Sequence, residues 1–162
     1  MHDEKEFAGE QTTVTVNMLI RRPVQEVYEA FINPEITTKF WFTRSSGRLE
    51  KGKIIRWDWE MYGAGDDLEV LELEENKRIL IEFASDRTTV EWLFSPRNDN
   101  ATYVTIVNKG FNGSPEEMMQ QAIDAKGGYM IVVSGLKALL EHGIRLNLVA
   151  DQFPDDHVRS CL

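Results

Sequence analysis

The sequence predicts an α+β domain in which a curved antiparallel sheet wraps around one long C-terminal helix. Three observations carry that prediction. Apolar residues recur with period two across short segments separated by turn signals from about residue 44 to 109, the mark of half-buried strands in a meander. The segment from Ser114 to Gly143 has helical spacing and a stop signal at each end. Ahead of the meander, one strand is followed directly by two short helices, which gives the order strand, two helices, about six strands, long helix.

Each element has a local reason. Thr12 to Ile20 is β-branched and partly alternating, which favours a strand. Pro23 suits the first turn of a helix, because its missing N–H costs nothing there, and Val24, Val27, Tyr28 and Phe31 form one apolar stripe. Asn33-Pro34 stops that helix, since the residue before proline avoids the α region, and a second short helix runs from Pro34 to about Lys39 into Phe40-Trp41-Phe42. Arg48 to Gly52 reads as a strand end and tight turn. From Lys53 to Tyr62, Ile55, Trp57, Trp59 and Met61 share one face. Turns are expected at Gly63–Asp66, Glu74–Lys77, Ser85–Arg87 and Pro96–Asn100. The strands between and after them run from Leu68 to Leu73, through Ile79, Ile81 and Phe83, through Val90, Trp92 and Phe94, and from Ala101 to Asn108. Ser114-Pro115-Glu116-Glu117 starts the long helix with a cap, a first-turn proline and acidic residues. Gly143 ends it after His142, and Gly127-Gly128 predicts a kink or break inside it. Residues 1–10 read as a flexible tail, 11–144 as the domain and 145–162 as an extension. After Gly143, Ile144–Val149 reads as a short strand or docking segment and Asp151–Leu162 as a tail.

Composition prunes the function classes. The 162 residues hold 18 Lys plus Arg against 27 Asp plus Glu, a net charge of −9. Arg21-Arg22 and the stretch from Arg44 to Lys53 are the basic clusters, too sparse for the phosphate contacts of a nucleic-acid surface. No apolar run approaches the roughly 20 residues of a membrane span, and the N-terminal residues MHDEKEFAGE contain no apolar leader segment. The expected setting is cytoplasmic. Cys161 is the single cysteine and the histidines are His2, His142 and His157, which supply no ligand set for zinc. No phosphate-binding glycine loop or nucleophile elbow occurs, so neither cofactor, metal nor catalytic residue is assigned.

The order of elements and several short motifs resemble the START/Bet v 1-like (SRPBCC) superfamily with its helix-grip fold. Within it, the sequence resembles the bacterial branch related to the C-terminal domain of the Hsp90 ATPase activator. The matching residues are Arg22-Pro23-Val24-Gln25-Glu26-Val27-Tyr28-Glu29-Ala30-Phe31 with Pro34-Glu35, Phe40-Trp41-Phe42, and Gly52 before a tryptophan-bearing strand. Asn108-Lys109-Gly110-Phe111, Gly128-Tyr129 and Gly135 through Gly143 continue the match. Tyr129 stands where the family often has tryptophan. The resemblance implies a carrier of hydrophobic ligands, a small cyclase- or hydrolase-like enzyme, or a surface module with a chaperone-related or stress-response role and an Hsp90-type partner.

The inward aromatic face sharpens the first of these. Trp57, Trp59, Phe83, Trp92 and Phe94 share the predicted inner face, with Met118, Met119 and Met130 facing them from the helix. Such rings either fill a core or line a lumen that binds a small hydrophobic molecule. The expected lining is Trp41, Trp57, Trp59, Phe83, Trp92, Tyr103, Tyr129, Met130 and Ser134, with Phe40 to Phe42 at the entrance. Such a lumen would hold a flat hydrophobic molecule by burial, and the resemblance implies that it is lipid- or polyketide-like. Oligomeric state is left open.

Overall fold

Strand β1 (Thr13–Ile20) lies beside the last strand of the sheet rather than beside the next in sequence, and this pairing frames the molecule. A computed structural model describes residues 12–158; the expected N-terminal tail, His2 and Cys161 lie outside them. After β1 come helices α1 (Val24–Ile32) and α2 (Pro34–Thr37), then strands β2 (Arg44–Ser45), β3 (Ile54–Trp59), β4 (Ala64–Glu74), β5 (Arg78–Phe83), β6 (Thr89–Asn98) and β7 (Ala101–Lys109). Helix α3 (Pro115–His142) and the short α4 (Leu148–Asp151) complete the described chain. The seven strands form one antiparallel sheet in the order β1-β7-β6-β5-β4-β3-β2.

Register aligns the inward residues into rows. Val16 pairs with Ile106, Ile106 with Trp92 and Trp92 with Ile79, so one apolar row crosses four strands. All four are buried. The opposite face is wet, as an antiparallel sheet allows: Arg78 on β5 binds Glu91 on β6 at 2.6 Å. A bulge between Val70 and Glu72 of β4 shifts the alternation, which is how Leu68, Val70 and Leu73 all pack on the core.

The caps act as their sequences indicate. The Asn33 Oδ1 accepts from the Glu35 N–H at 3.0 Å, while Asn33 itself is extended and ends α1. Ser114 Oγ accepts from Glu117 N–H at 3.1 Å. Gly143 takes the left-handed conformation at φ 66°, and its N–H donates to Leu139 O at 2.9 Å, a Schellman-type end completed by Ile144 N–H on Ala138 O.

Several local expectations are corrected. Of the kink or break expected at Gly127-Gly128, the break does not occur: α3 is continuous over 28 residues. Met118, Val132, Val133 and Leu136 anchor it to the core on both sides of the pair, and tertiary burial outweighs the roughly 1 kcal/mol per glycine. The turn expected at Gly63–Asp66 lies earlier, in a 3-10 turn at Glu60–Tyr62 closed by left-handed Gly63 (φ 59°), so that Ala64 already pairs with Trp59. Pro96 and Arg97 belong to β6, next to a register shift that tolerates the proline. The strand end expected at Arg48–Gly52 lies earlier, at β2 (Arg44–Ser45), while the tight turn expected there forms, with Gly52 at φ 82° and Lys53 N–H on Glu50 O at 3.1 Å. Of the short strand or docking segment expected at Ile144–Val149, the strand does not form: the chain makes helix α4, with Val149 packed against the core, and a 3-10 turn at Pro154–Asp156 stands where a tail was expected.

Candidate functional site

The core divides into a packed part and an open part, and the boundary runs through Trp41. On the packed side, Phe42 stacks on Trp57 at 4.4 Å with planes 20° apart, and Trp41 meets Trp57 edge-on at 5.0 Å. Phe31 closes against Trp92 at 5.7 Å. The space among Phe31, Trp41, Leu49, Trp57, Ile79 and Trp92 has no room for a water molecule. Trp57 and Trp92, expected in the lining, are therefore solid core, at 2% and 1% exposure. Phe40 and Phe42 are buried too and form no entrance. Among the described residues, the Trp92 indole N–H is buried without a hydrogen-bond partner.

On the other side of Trp41 lies a partly open cavity of about 400 Å³. Trp41 and Trp59 approach at 6.2 Å and Trp41 meets Tyr129 edge-on at 6.0 Å, so three rings from α2's exit, β3 and α3 wall one end. Phe83 joins them from the end of β5. Trp59 differs from Trp57 in position: it is the last residue of its strand, and Phe42, which stacks face to face on Trp57, meets Trp59 only edge-on at 6.2 Å. The helix lines the cavity with Gln121, Asp124, Ala125, Gly128, Tyr129 and Val132, a stripe at three- and four-residue spacing. Gly128 keeps that wall recessed, since a Cβ added there would meet nothing within 4 Å.

The remaining expected residues lie elsewhere. Tyr103 sits on the outer face, where alternation along β7 puts Thr102, Val104 and Ile106 inside and turns Tyr103 away; Arg97 stacks over its ring at 4.8 Å. Met130 is 36% exposed on the solvent side of α3, and Met119 is exposed as well. The Ser134 hydroxyl donates to the Met130 carbonyl at 2.7 Å, bonding back along its own helix.

Sequence reasoning missed the polar end of the cavity. Asp86 and Thr88 come from the β5–β6 turn, and Asn108 from the end of β7. Thr88 is buried, with its N–H and hydroxyl both donating to Asp86 Oδ1, at 2.9 and 2.7 Å. Asn108 is 4% exposed and donates through Nδ2 to Thr89 O at 2.9 Å. The alternation that buries Val104 and Ile106 extends to Asn108, and that signal was present in the sequence. Burial pushes the Tyr129 hydroxyl well above the usual phenol range, and the nearby Asp86 carboxylate adds to it. Val149 and Gln152, from the segment beyond α3, close one side. The Tyr62 hydroxyl donates to Val149 O and Phe153 packs edge-on against Tyr62 at 6.1 Å, tying that segment to the β3–β4 turn.

A second depression of about 470 Å³ lies between α1 and the β4–β5 turn. It is a surface groove crossed by the exposed Arg48–Glu29 ion pair, and it offers none of the inner-face aromatics. Among the described residues, no helix is long and apolar enough to cross a membrane.

Residues 21–141 match the family described as Activator of Hsp90 ATPase homolog 1-like protein. The chain belongs to that family. Its fold is the Bet v 1-like helix grip, with the open antiparallel sheet closed by α3. Among solved structures, protein SSP2350 from Staphylococcus saprophyticus is 30% identical, with a TM-score of 0.73 over 83% of this chain and 96% of that one. DynU16, from the dynemicin biosynthetic locus, is 25% identical with a TM-score of 0.70, over 82% of this chain and 48% of that one. The Aha1 dimer of Colwellia psychrerythraea, 19% identical with a TM-score of 0.70 over 82% of this chain and 98% of that one, shares the fold. No curated protein matches the chain.

Proposed function

We propose that the protein binds a small hydrophobic, lipid- or polyketide-like molecule between its sheet and α3. The observation that carries this reading is the cavity of about 400 Å³ with Trp41, Trp59, Phe83 and Tyr129 around it. That volume falls in the range of roughly 300–1,000 Å³ typical of small-molecule sites, which are mostly apolar with a few placed polar groups. Burial of a flat ring there contributes about 25 cal/mol per Å² of apolar surface removed from water. The likeness to a protein from a biosynthetic locus supports a small-molecule ligand over a surface partner.

The test is native mass spectrometry of freshly purified protein, followed by a thermal-shift screen of lipids, polyketides and flavonoids. A ligand at about 100 times its Kd stabilises the protein by about 2.7 kcal/mol. Trp59→Ala should remove the shift while leaving the fold, because Trp59 lies at the cavity and outside the Phe31–Trp57–Trp92 packing. No co-purified molecule and no shift with any of the three classes would overturn the reading.

A further inference from the structure

The polar atoms around the cavity are not balanced between donors and acceptors. Asn108 faces a carbonyl, Thr89 O, so the atom on that side must be its amide nitrogen, and Oδ1 remains an unpartnered acceptor on a nearly buried side chain. Gln121 is held in the same way: Nε2 donates to Asn112 O at 2.7 Å, which leaves Oε1. Thr88 has already given its hydroxyl proton to Asp86 Oδ1. Asp86 and Asp124 contribute carboxylates, and Asp124 Oδ1 accepts from Gln120 at 3.0 Å. Among the described residues lining the cavity, none is Lys, Arg or His. The donors that remain are the Tyr129 hydroxyl and the Gln152 amide, for which no hydrogen bond is formed among the described residues.

We propose that the cavity selects flat aromatic molecules whose polar end donates hydrogen bonds, a hydroxyl or an ammonium, and turns away carboxylates. The rings lie against Trp41, Trp59 and Phe83, and the donor end meets Asn108 Oδ1 and the Asp86 carboxylate. This selectivity rests on the cavity being a ligand site. An anion placed there would come beside two carboxylates, Asp86 and Asp124, both on the exposed side of the cavity, with no Lys, Arg or His in the lining to offset them, and like charges brought together are unfavourable. An ammonium or hydroxyl meets acceptors whose own hydrogen-bond capacity is unfilled. The raised Tyr129 ionisation, due in part to Asp86, reports the same negative field at this end.

Three fluorescent probes with the same ring test the idea: aminomethyl anthracene, anthracene methanol and anthracene carboxylate, titrated into the intact protein. The ammonium and alcohol should bind at least about tenfold more tightly than the carboxylate, a difference of about 1.4 kcal/mol. In the double variant Asp86→Asn/Asp124→Asn, binding of the ammonium should weaken and that of the carboxylate strengthen, while the alcohol stays within about twofold. Gly128→Phe, which fills the recess, should abolish binding of all three. Carboxylate binding as tight as that of the ammonium would overturn the selectivity and leave the ligand site standing. Failure of all three probes to bind the folded protein would overturn both, and binding that survives Gly128→Phe would remove the probes from this cavity and with them the proposal.

Discussion

Replacing each of three glycines of α3 by alanine asks whether the cavity stays open in solution. A helix-interior glycine costs about 0.5–1 kcal/mol relative to alanine, so each substitution starts with that gain. At Gly127 the new Cβ meets nothing within 4 Å and faces solvent, and the gain is realised alone. At Gly128 the space is also empty but faces the cavity, and a partly buried methyl adds a fraction of about 0.8 kcal/mol. At Gly135 the Cβ would stand 3.4 Å from both the Cβ and the carbonyl oxygen of Phe40. That distance is the near edge of ordinary van der Waals contact, so the new methyl packs against Phe40 and the gain is kept. The expected order of stability is Gly128→Ala at or above Gly127→Ala, with Gly135→Ala also at or above the parent chain. In a domain of this size each kcal/mol moves the Tm by about 2–4 °C, and urea unfolding with a shared m-value gives the differences directly. Loss of stability in Gly128→Ala beside a gain in Gly127→Ala would mean that the helix lies against the sheet with no gap, and the reasoning about the cavity would fail.

Other outcomes follow from the packing. Trp57→Ala should cost about 3–5 kcal/mol by chemical denaturation, because the ring is enclosed by Phe42 and Trp41; Trp59→Ala should cost clearly less. Ser114→Ala should lower stability by about 0.5–2 kcal/mol, since it removes the acceptor for the Glu117 N–H. In an alkaline titration followed by tyrosinate absorbance, the phenol of Tyr129 should be the last to ionise, and Tyr129→Phe should delete that step. The sign for stability follows: the folded state holds this proton more tightly than the unfolded chain, so its contribution is complete below about pH 10 and declines above it. Equal alkaline stability of Tyr129→Phe and the parent chain would contradict the burial of that hydroxyl.

The parts of the fold that were legible in the sequence are those where one physical rule acts alone. Ser114-Pro115 and Gly143 mark the ends of α3 because caps satisfy backbone groups locally, whatever lies around them. Period two placed Trp57, Trp59, Trp92 and Phe94 on one face, and register keeps them there. The same rule cannot separate Trp57 from Trp59, since the distinction depends on Phe42 arriving from another element to stack face to face on one ring and only edge-on to the other. Gly127-Gly128 misled because propensity is a local term and α3 is held by residues on both sides of the pair. The polar end was hidden for a different reason: Asp86 and Thr88 stand in a turn, where no periodicity assigns a face. Asn108 could have been found by carrying the β7 alternation to its last inward position.

The part of the site supplied by Val149 and Gln152 stands past residue 141, where the family match stops. A protein ending at residue 141 would keep the seven strands and the long helix and lose one side of the cavity. If the cavity takes a ligand, as proposed, exchanging the residues after the long helix should change which molecule it takes while leaving the grip intact.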